Sequence, residues 1–432
     1  MSKLPLEGIR VLEIGIIWAG PYAGLILADL GAEVIKVESI LHIPPSTRGY
    51  RIRPPQEAMA GPTGSAYPDR MAGARPWNRF AHFNAQHRNK YSMTVDLTRD
   101  KGKEIFKKLV AVSDVFLENS AYGVMNKFGL GYPVLSQVNP QLIMCSMPGY
   151  GNSGPYKEYV GFGLLMEALI GHAWLRGYAD SDPTTHNPVY PMDTIGGAMA
   201  AFMIMTALFH RKKTGRGQFI DLAQTEAFLP HLGQAVMDYS MNGNVQRTVG
   251  NRDPGLSMAP HGCYRCLGND RWIVIAVDSE EEWQGLCRAM GNPAWTAEER
   301  FSDAVSRFKN QDALDKLLEE WTKEHDHFAL MHILQKEGVP AGPVMDARDC
   351  YNDPHLKDRG FFVETTHPEA GTHLYPGLFA KMSGTPLTCR LPSPCLGEHN
   401  EYVYKKLLGV SDEEYAELER EQHIGMEYLG PG

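Results

Sequence analysis

Short apolar runs alternate with amphipathic stretches from the beginning of the chain. Ile9–Ile14 (IRVLEI) is a mostly apolar run ending at Gly15, as a parallel strand buried on both faces should be. Pro21 opens a helical stretch, Tyr22–Leu30, and Gly31 stops it. Glu33–Val37 (EVIKV) is the next strand, so the first forty or so residues predict a βαβ unit. Further strands are predicted at Ser92–Leu97, Asp114–Glu118, Leu142–Ser146 and Gln218–Leu222. Lys101–Val112 carries the i, i+3, i+4 spacing of an amphipathic helix, and Thr194–Lys213 reads as a long helix rich in Ala and Met. Strands alternating with helices predict an α/β fold whose sheet is mainly parallel.

The pattern changes twice. Between Pro44 and Lys90 there is no Val or Leu, but several Pro and Gly and the arginines Arg48, Arg51, Arg53, Arg70, Arg75, Arg79 and Arg88. This reads either as a solvated excursion or as an arm whose guanidinium forks meet an anionic ligand or a partner subunit. Val249–Pro260 turns to Gly, Pro and Asn, a domain boundary. Beyond it, Gly262–Val277 predicts antiparallel β-structure and Glu280–Met290, Asn310–Lys323 and His327–Glu337 predict helices. The expectation is a large domain over 1–225 and 375–432, a smaller α+β domain over 258–360, and linkers at 226–257 and 361–374.

Composition narrows the function. With 42 Lys plus Arg against 51 Asp plus Glu, the 432-residue chain carries a net charge of −9, which argues against a nucleic-acid partner. The longest apolar runs, such as Ala198–Leu208, fall short of the roughly 20 residues that cross a bilayer, so no membrane partner is expected. Seven cysteines, an odd number with one close pair, point to a reducing compartment, and residues 1–10 lack a secretory pattern. A cytoplasmic enzyme is the expectation.

Gly149-Tyr-Gly-Asn-Ser-Gly154 matches the dinucleotide pattern GxGxxG and follows a strand. Pro155 and the polar residues after it do not open a helix, so a turn-forming glycine loop is the better reading. Cys263-x-x-Cys266 has no second half at metal-finger spacing, and two cysteines on a hairpin are expected rather than a metal site. Asp193, before Gly196 and Gly197, has two readings. It could cap the long helix, or it could serve as a nucleophile or base beside glycines that let a ligand approach.

Three stretches shift that balance: Leu6–Glu38, Arg88–Leu97 (RNKYSMTVDL), and Tyr190–Asp221 with Asp193 and the turn Thr214-Gly-Arg-Gly-Gln218. With Gly338–Pro343, Pro354–Gly360 and Leu396-Gly-Glu-His399, they resemble the class III (CaiB/BaiF) CoA-transferases, the family of formyl-CoA:oxalate and carnitine CoA-transferases. The resemblance implies a Rossmann-like large domain, a smaller domain, and two chains interlocked like links. It implies that coenzyme A or an acyl-CoA enters as substrate with an organic acid, with no tightly bound cofactor. It also implies that Asp193 is the nucleophile, loaded as an aspartyl anhydride and then as an aspartyl-CoA thioester.

Departures from that family are informative. A Glu partnering the nucleophile in the oxalate enzyme falls at Gly163, and a nearby Gln at Glu167, leaving Glu167 as a supporting residue. A Gln near the first helix is Trp18 here; with Trp77, Phe162 and Trp174 it points to a bulky, aromatic acid of the benzylsuccinate kind, and Trp18 and Phe162 are assigned to the acyl pocket. A CoA-contacting Arg is replaced by Ser39, so Asn89, Lys90, Arg48 and Arg51 are the expected contacts for the nucleotide end. Related racemases pair the Asp with a His where this chain has Phe162, so racemisation with Asp193 as base is the weaker alternative. A homodimer is expected; a heteromer with a related subunit, in which this chain is non-catalytic, is a third reading.

Overall fold

The computed structural model describes residues 3–185, 191–252 and 258–430. The chain divides into two compact units, one of Met1–Ile170, Pro188–Met237 and Lys357–Gly432, the other of Gly171–Asn187 and Asp238–Leu356. The first carries a six-stranded sheet in the order β3-β2-β1-β4-β5-β6. Its strands are β1 Arg10–Ile14, β2 Glu33–Glu38, β3 Lys90–Thr94, β4 Val115–Glu118, β5 Ile143–Ser146 and β6 Gln218–Asp221. Every pair is parallel. This is the doubly wound order of a dinucleotide-binding fold, and the α/β expectation holds.

Alternate residues of each strand feed two cores. Val11, Val34, Val115, Leu117 and Ile143 pack under the first helix, Ala19–Asp29, and the helix Pro191–Thr214. Leu12, Ile35, Phe116 and Met144 pack on the other face against the helix Asp100–Ala111. Pro191–Thr214 has 24 residues and by length and hydropathy could cross a membrane, which the shorter run Ala198–Leu208 does not convey. Gly196, Gly197, Ala200, Ala201, Ile204 and Ala207 are nevertheless buried, and this small-residue face belongs to the core of the first unit.

The central strand also buries a charge. Glu13 is fully enclosed, 3.1 Å from Lys36 and 2.7 Å from Lys90, both themselves buried. Lys36 also donates to the Gly15 carbonyl, and Lys90 to the Pro21 carbonyl at 2.7 Å. Burial alone would raise the Glu13 pKa, but the two ammonium groups outweigh it and hold the carboxyl below its usual range. The first helix can lie over this carboxylate because residue 24 is Gly: a Cβ there would stand 2.0 Å from Glu13 Oε2.

The arginine-rich arm is not structureless. It folds into short turns at Pro45–Arg48, Gln56–Ala60, Pro76–Arg79 and Ala81–Gln86. Arg48 forks onto Glu38 at 2.6 and 2.7 Å and lies over the Phe83 ring at 3.6 Å. Arg88 pairs with Asp29 at 2.6 Å. The tail covers the outer edge of β3, with His399 N–H donating to Ser92 O and Thr94 N–H to Asn400 Oδ1. Residues 361–374, read as linker from sequence, instead contribute to the antiparallel hairpin Phe362–His367 and Gly371–Pro376 of the first unit. Its exposed, polar-rich strands lack the apolar alternation that marks a strand in sequence.

The second unit has a three-stranded antiparallel sheet, β7 His261–Arg265, β8 Trp272–Ala276 and β9 Ala341–Pro343. Helices Glu280–Ala289, Gln311–Thr322 and His327–Lys336 close its core around Ile273, Ile275, Trp283 and Leu318. Ser279 and Glu282 form a capping box. Part of the predicted boundary Val249–Pro260 lies outside the described residues.

Removing one member of a buried ion cluster strands the others. Glu13→Gln should therefore cost roughly 3–5 kcal/mol, read as a fall in the urea unfolding midpoint. An unmoved midpoint would show that the cluster does not hold the sheet.

Candidate active site

Strand order reverses between β1 and β4, and a doubly wound sheet binds its ligands at the carboxyl ends of the strands near that point. The loop after β1 is pinned there. Ile16 N–H donates to Asn119 Oδ1 at 2.7 Å, Asn119 returns a bond to Ile16 O at 3.0 Å, and Ile17 N–H donates to Thr47 Oγ1 at 3.0 Å. Ile17 sits at φ 59°, a strained conformation for a β-branched residue and of the kind that gathers at functional sites. Beside this loop opens a mainly apolar cleft of about 510 Å³, lined by Ile14, Gly15, Ser39, His42, Ile43, Asp96 and Phe128 among others.

The helix Pro191–Thr214 starts at the same edge, because it must run back to the amino end of β6. Gly197 makes the approach possible: a Cβ would lie 2.6 Å from Ala19 O at the start of the first helix. Asp193, one turn earlier, is the third residue of this helix, so it is not the N-cap that sequence also allowed. Tyr190, just before the helix, lies outside the described residues.

Around Asp193 the packing is apolar. Met166, Met192 and Phe228 are buried together, with Tyr150 and Ile195 against them. Gly149-Tyr-Gly-Asn-Ser-Gly154 makes turns, with Gly151 and Gly154 at positive φ, and a helix starts only at Gly163, as the glycine-loop reading expects. Gly149 lets Met166 lie close: a Cβ there would sit 2.4 Å from Met166 Sδ, and the methionine would have to move. Gln224 donates to Met147 O at 2.8 Å and lies against Gly196.

The helix Gly163–Leu169 brings a second carboxylate, Glu167, which is fully buried. Burial and then the Glu167 charge push the Asp193 pKa from 3.8 up to about 6. The dipole at the helix start works in the opposite direction and keeps the carboxylate accessible near neutral pH. A partly buried carboxylate made more basic than usual is suited to nucleophilic attack or proton abstraction.

The structure brings Asp193 and Glu167 together and places Trp18 immediately before the first helix, its ring edge-on to His82 at 5.0 Å. Phe162 precedes the Glu167 helix and is 58% exposed. Trp77 is core, packed with Ile40, Ile43 and Leu396, and does not contribute to a pocket.

The expected nucleotide contacts are placed differently. Asn89, at φ 61°, spends its side chain on Asp29 and on the backbone of Arg390 and Leu391. Lys90 belongs to the Glu13 cluster, and burial pushes its pKa down to about 8 despite that carboxylate. Arg48 is enclosed by Glu38, Trp77 O and Asn78. These three hold the sheet edge rather than face a ligand. Arg51 is partly exposed and reaches Tyr428 Oη at 3.3 Å. Cys263 and Cys266 are free thiols, and no metal-ligand cluster occurs among the described residues.

Sequence reasoning missed Asn119, His82 and Gln224. Burial lowers the His82 pKa, offset in part by its bond to the Ile17 backbone. None of these carries a local signal, since each acts on a segment distant in the chain.

Comparison with known proteins places the chain in a family. The model for CoA-transferase family III matches residues 6–400, so the chain belongs to that family, and it is a CoA-transferase. It is 31% identical over 421 residues to the succinyl-CoA–D-citramalate CoA-transferase of Chloroflexus aurantiacus, covering 97% of this chain and 98% of the relative. It is 32% identical over 428 residues to the alpha subunit of that organism's succinyl-CoA–L-malate CoA-transferase, covering 96% and 92%. A crystal structure of a CaiB/BaiF family protein from Brucella suis superposes with a TM-score of 0.80 at 33% identity, covering 94% of this chain and 100% of that one. Acyl-CoA is accordingly a substrate.

A raised carboxyl pKa makes the folded state hold its proton more tightly than the unfolded chain does. Ionising Asp193 therefore costs stability as pH rises from 3.8 to about 6, and the full cost persists above that range. Asp193→Asn should be more stable than the parent at pH 7 by roughly 1–3 kcal/mol, with the advantage gone below pH ~4. Equal melting temperatures of the two proteins at pH 7 would contradict the assigned environment.

Proposed function

We propose that the chain moves CoA from succinyl-CoA or a similar thioester to a free organic acid, with Asp193 as the covalent relay. The observation that carries this reading is the partly buried, basic carboxylate of Asp193 at a helix start beside glycines, at the ligand-binding edge of the sheet. An Asp193 oxygen attacks the thioester carbonyl carbon, the C–S bond breaks, and the electron pair leaves with sulfur as CoA thiolate. The thiolate attacks the aspartyl carbonyl of the resulting anhydride and expels the donor acid as its carboxylate. An acceptor carboxylate then attacks the aspartyl-CoA thioester, freeing thiolate again and forming the second anhydride. Return of the thiolate to the acceptor's acyl carbon yields the new acyl-CoA and restores Asp193.

Enclosure matters because water would hydrolyse either anhydride. Backbone N–H groups of the loop at Gly149–Gly151 are the candidates to receive the oxyanions, and the cleft beside β1 and β2 is the candidate seat for CoA. Lys90, Asn89 and Arg48 support the site through the framework, leaving Arg51 as the candidate phosphate contact of the four.

Trp18 and the exposed Phe162 support an acceptor with a bulky or aromatic body. Assembly as a homodimer is supported by the apolar side chains that the Asp193 helix leaves exposed, Met199, Phe202 and Phe209. The malate relative's alpha subunit supports the alternative of a related second chain.

With succinyl-CoA and hydroxylamine, the protein should acquire a hydroxamate on Asp193 and lose activity irreversibly. Asp193→Ala should form no adduct and turn over at least ~10³-fold more slowly. Turnover by this variant at the parental rate would overturn the relay. In an acceptor panel, transfer to aryl-substituted acids is expected; transfer confined to citramalate, malate or glutarate would overturn the acceptor assignment and leave the CoA transfer standing. Light scattering should give twice the chain mass of 48.1 kDa, and a monomer would rule out the homodimer.

A further inference from the structure

A second cavity, of about 310 Å³, opens at the carboxyl ends of β4, β5 and β6. Strand register builds its floor. Phe116, Met144 and Phe219 pair across the three strands, and two residues further on so do Glu118, Ser146 and Asp221. Residues two apart on a strand share a face, which is why Met144, Phe219, Glu118 and Ser146 line one cavity. Tyr122, after β4, and Tyr132, at the start of the helix Tyr132–Val138, complete the lining, and the Tyr132 and Phe219 rings lie 5.6 Å apart. The cavity has no lining residue in common with the packing of Met166, Met192 and Phe228 near Asp193. It shares Ala121, Val124 and Met125 with the apolar cleft beside β1, so an occupant rests on that cleft's wall.

Among the described residues Glu118 is the one charged side chain in the lining, and it is only 4% exposed. Its partners are neutral. The Ser120 N–H donates to Oε2 at 2.8 Å, and the hydroxyls of Ser120 and Ser146 lie beside it. No cation among the described residues acts on it, and burial raises its pKa. Lys157 lies over the Tyr122 ring at 5.0 Å instead, and Asp221 is tied to Asn152 at 2.8 and 3.0 Å. Glu13, Glu38 and Asp29 are each buried against a Lys or Arg; Glu118 is buried against a cavity.

We propose that this cavity binds a small aromatic amine, with its nitrogen on Glu118 and its ring against Tyr132 and Phe219. An amine supplies the missing counter-ion whichever form the carboxyl starts in. A neutral carboxyl passes its proton to the amine nitrogen, and an ionised one receives the nitrogen already protonated; both routes end in the same ion pair. The rings give the ligand's aryl group apolar contact, and their faces attract its positive charge. A divalent metal fits poorly: it takes about six oxygen ligands, and no metal-ligand cluster occurs among the described residues.

The test titrates the intact protein with benzylamine and with benzyl alcohol, its uncharged isostere, read by calorimetry. The alcohol should bind about ten-fold more weakly than the amine. Glu118→Gln, which keeps shape and removes charge, should bring the amine down to the alcohol's affinity. Phe219→Ala should weaken both ligands several-fold. No amine binding by the parent, equal affinity for the two ligands, or parental amine binding by a folded E118Q overturns the inference. If E118Q does not fold, amine binding unchanged in F219A overturns it equally. Displacement of benzylamine by calcium chloride at fixed ionic strength would give the carboxylate to a metal and overturn it as well.

Discussion

The structure depends on an acid in the middle of a hydrophobic sheet. Glu13 occupies the central strand, and it can be there only because Lys36 of β2 and Lys90 of β3 converge on it. An unpaired carboxylate in that position would cost several kcal/mol of desolvation. The cluster ties three adjacent strands together, and Gly24 lets the first helix settle over it. The pinned loop at Ile16–Trp18 and the approach of the Asp193 helix onto Ala19 both follow from where that first helix lies.

Framework and candidate active site use charge in opposite senses. Glu13 with two lysines, Glu38 with Arg48 and Asp29 with Arg88 are buried pairs in which each ion has a partner of opposite sign. Asp193 is partly buried instead, and burial, then Glu167, raise its pKa. The first arrangement fixes geometry. The second makes a partly buried carboxylate more basic.

Much of the architecture was legible from the chain because local pattern and final environment agree there. Val11-Leu12 and Val34-Ile35 are apolar runs because both faces of the sheet are covered, and the helix Asp100–Ala111 shows its stripe because only one face is. The hairpin at Phe362–His367 and Gly371–Pro376 was not legible, since its mostly exposed strands have no buried face to impose alternation. Asn89, Lys90 and Arg48 pointed toward phosphate through the family resemblance and residue type. Residue type cannot say whether a cation faces solvent or an acid lying 10 residues away for Arg48 and 77 for Lys90.

By itself the sequence determined the strands and helices of the doubly wound sheet, because each rests on residues close together in the chain, and the family, through motifs spread from Leu6 to His399; it also marked Asp193 as a candidate. Tertiary structure alone decided that the basic residues of the arm turn inward, that Asn119 and Thr47 clamp the loop after β1, and that Glu167 lies beside Asp193. These depend on segments far apart meeting at one edge of the sheet. Burial there sets the strength of every charge, and burial is a property of the packed chain rather than of any stretch within it.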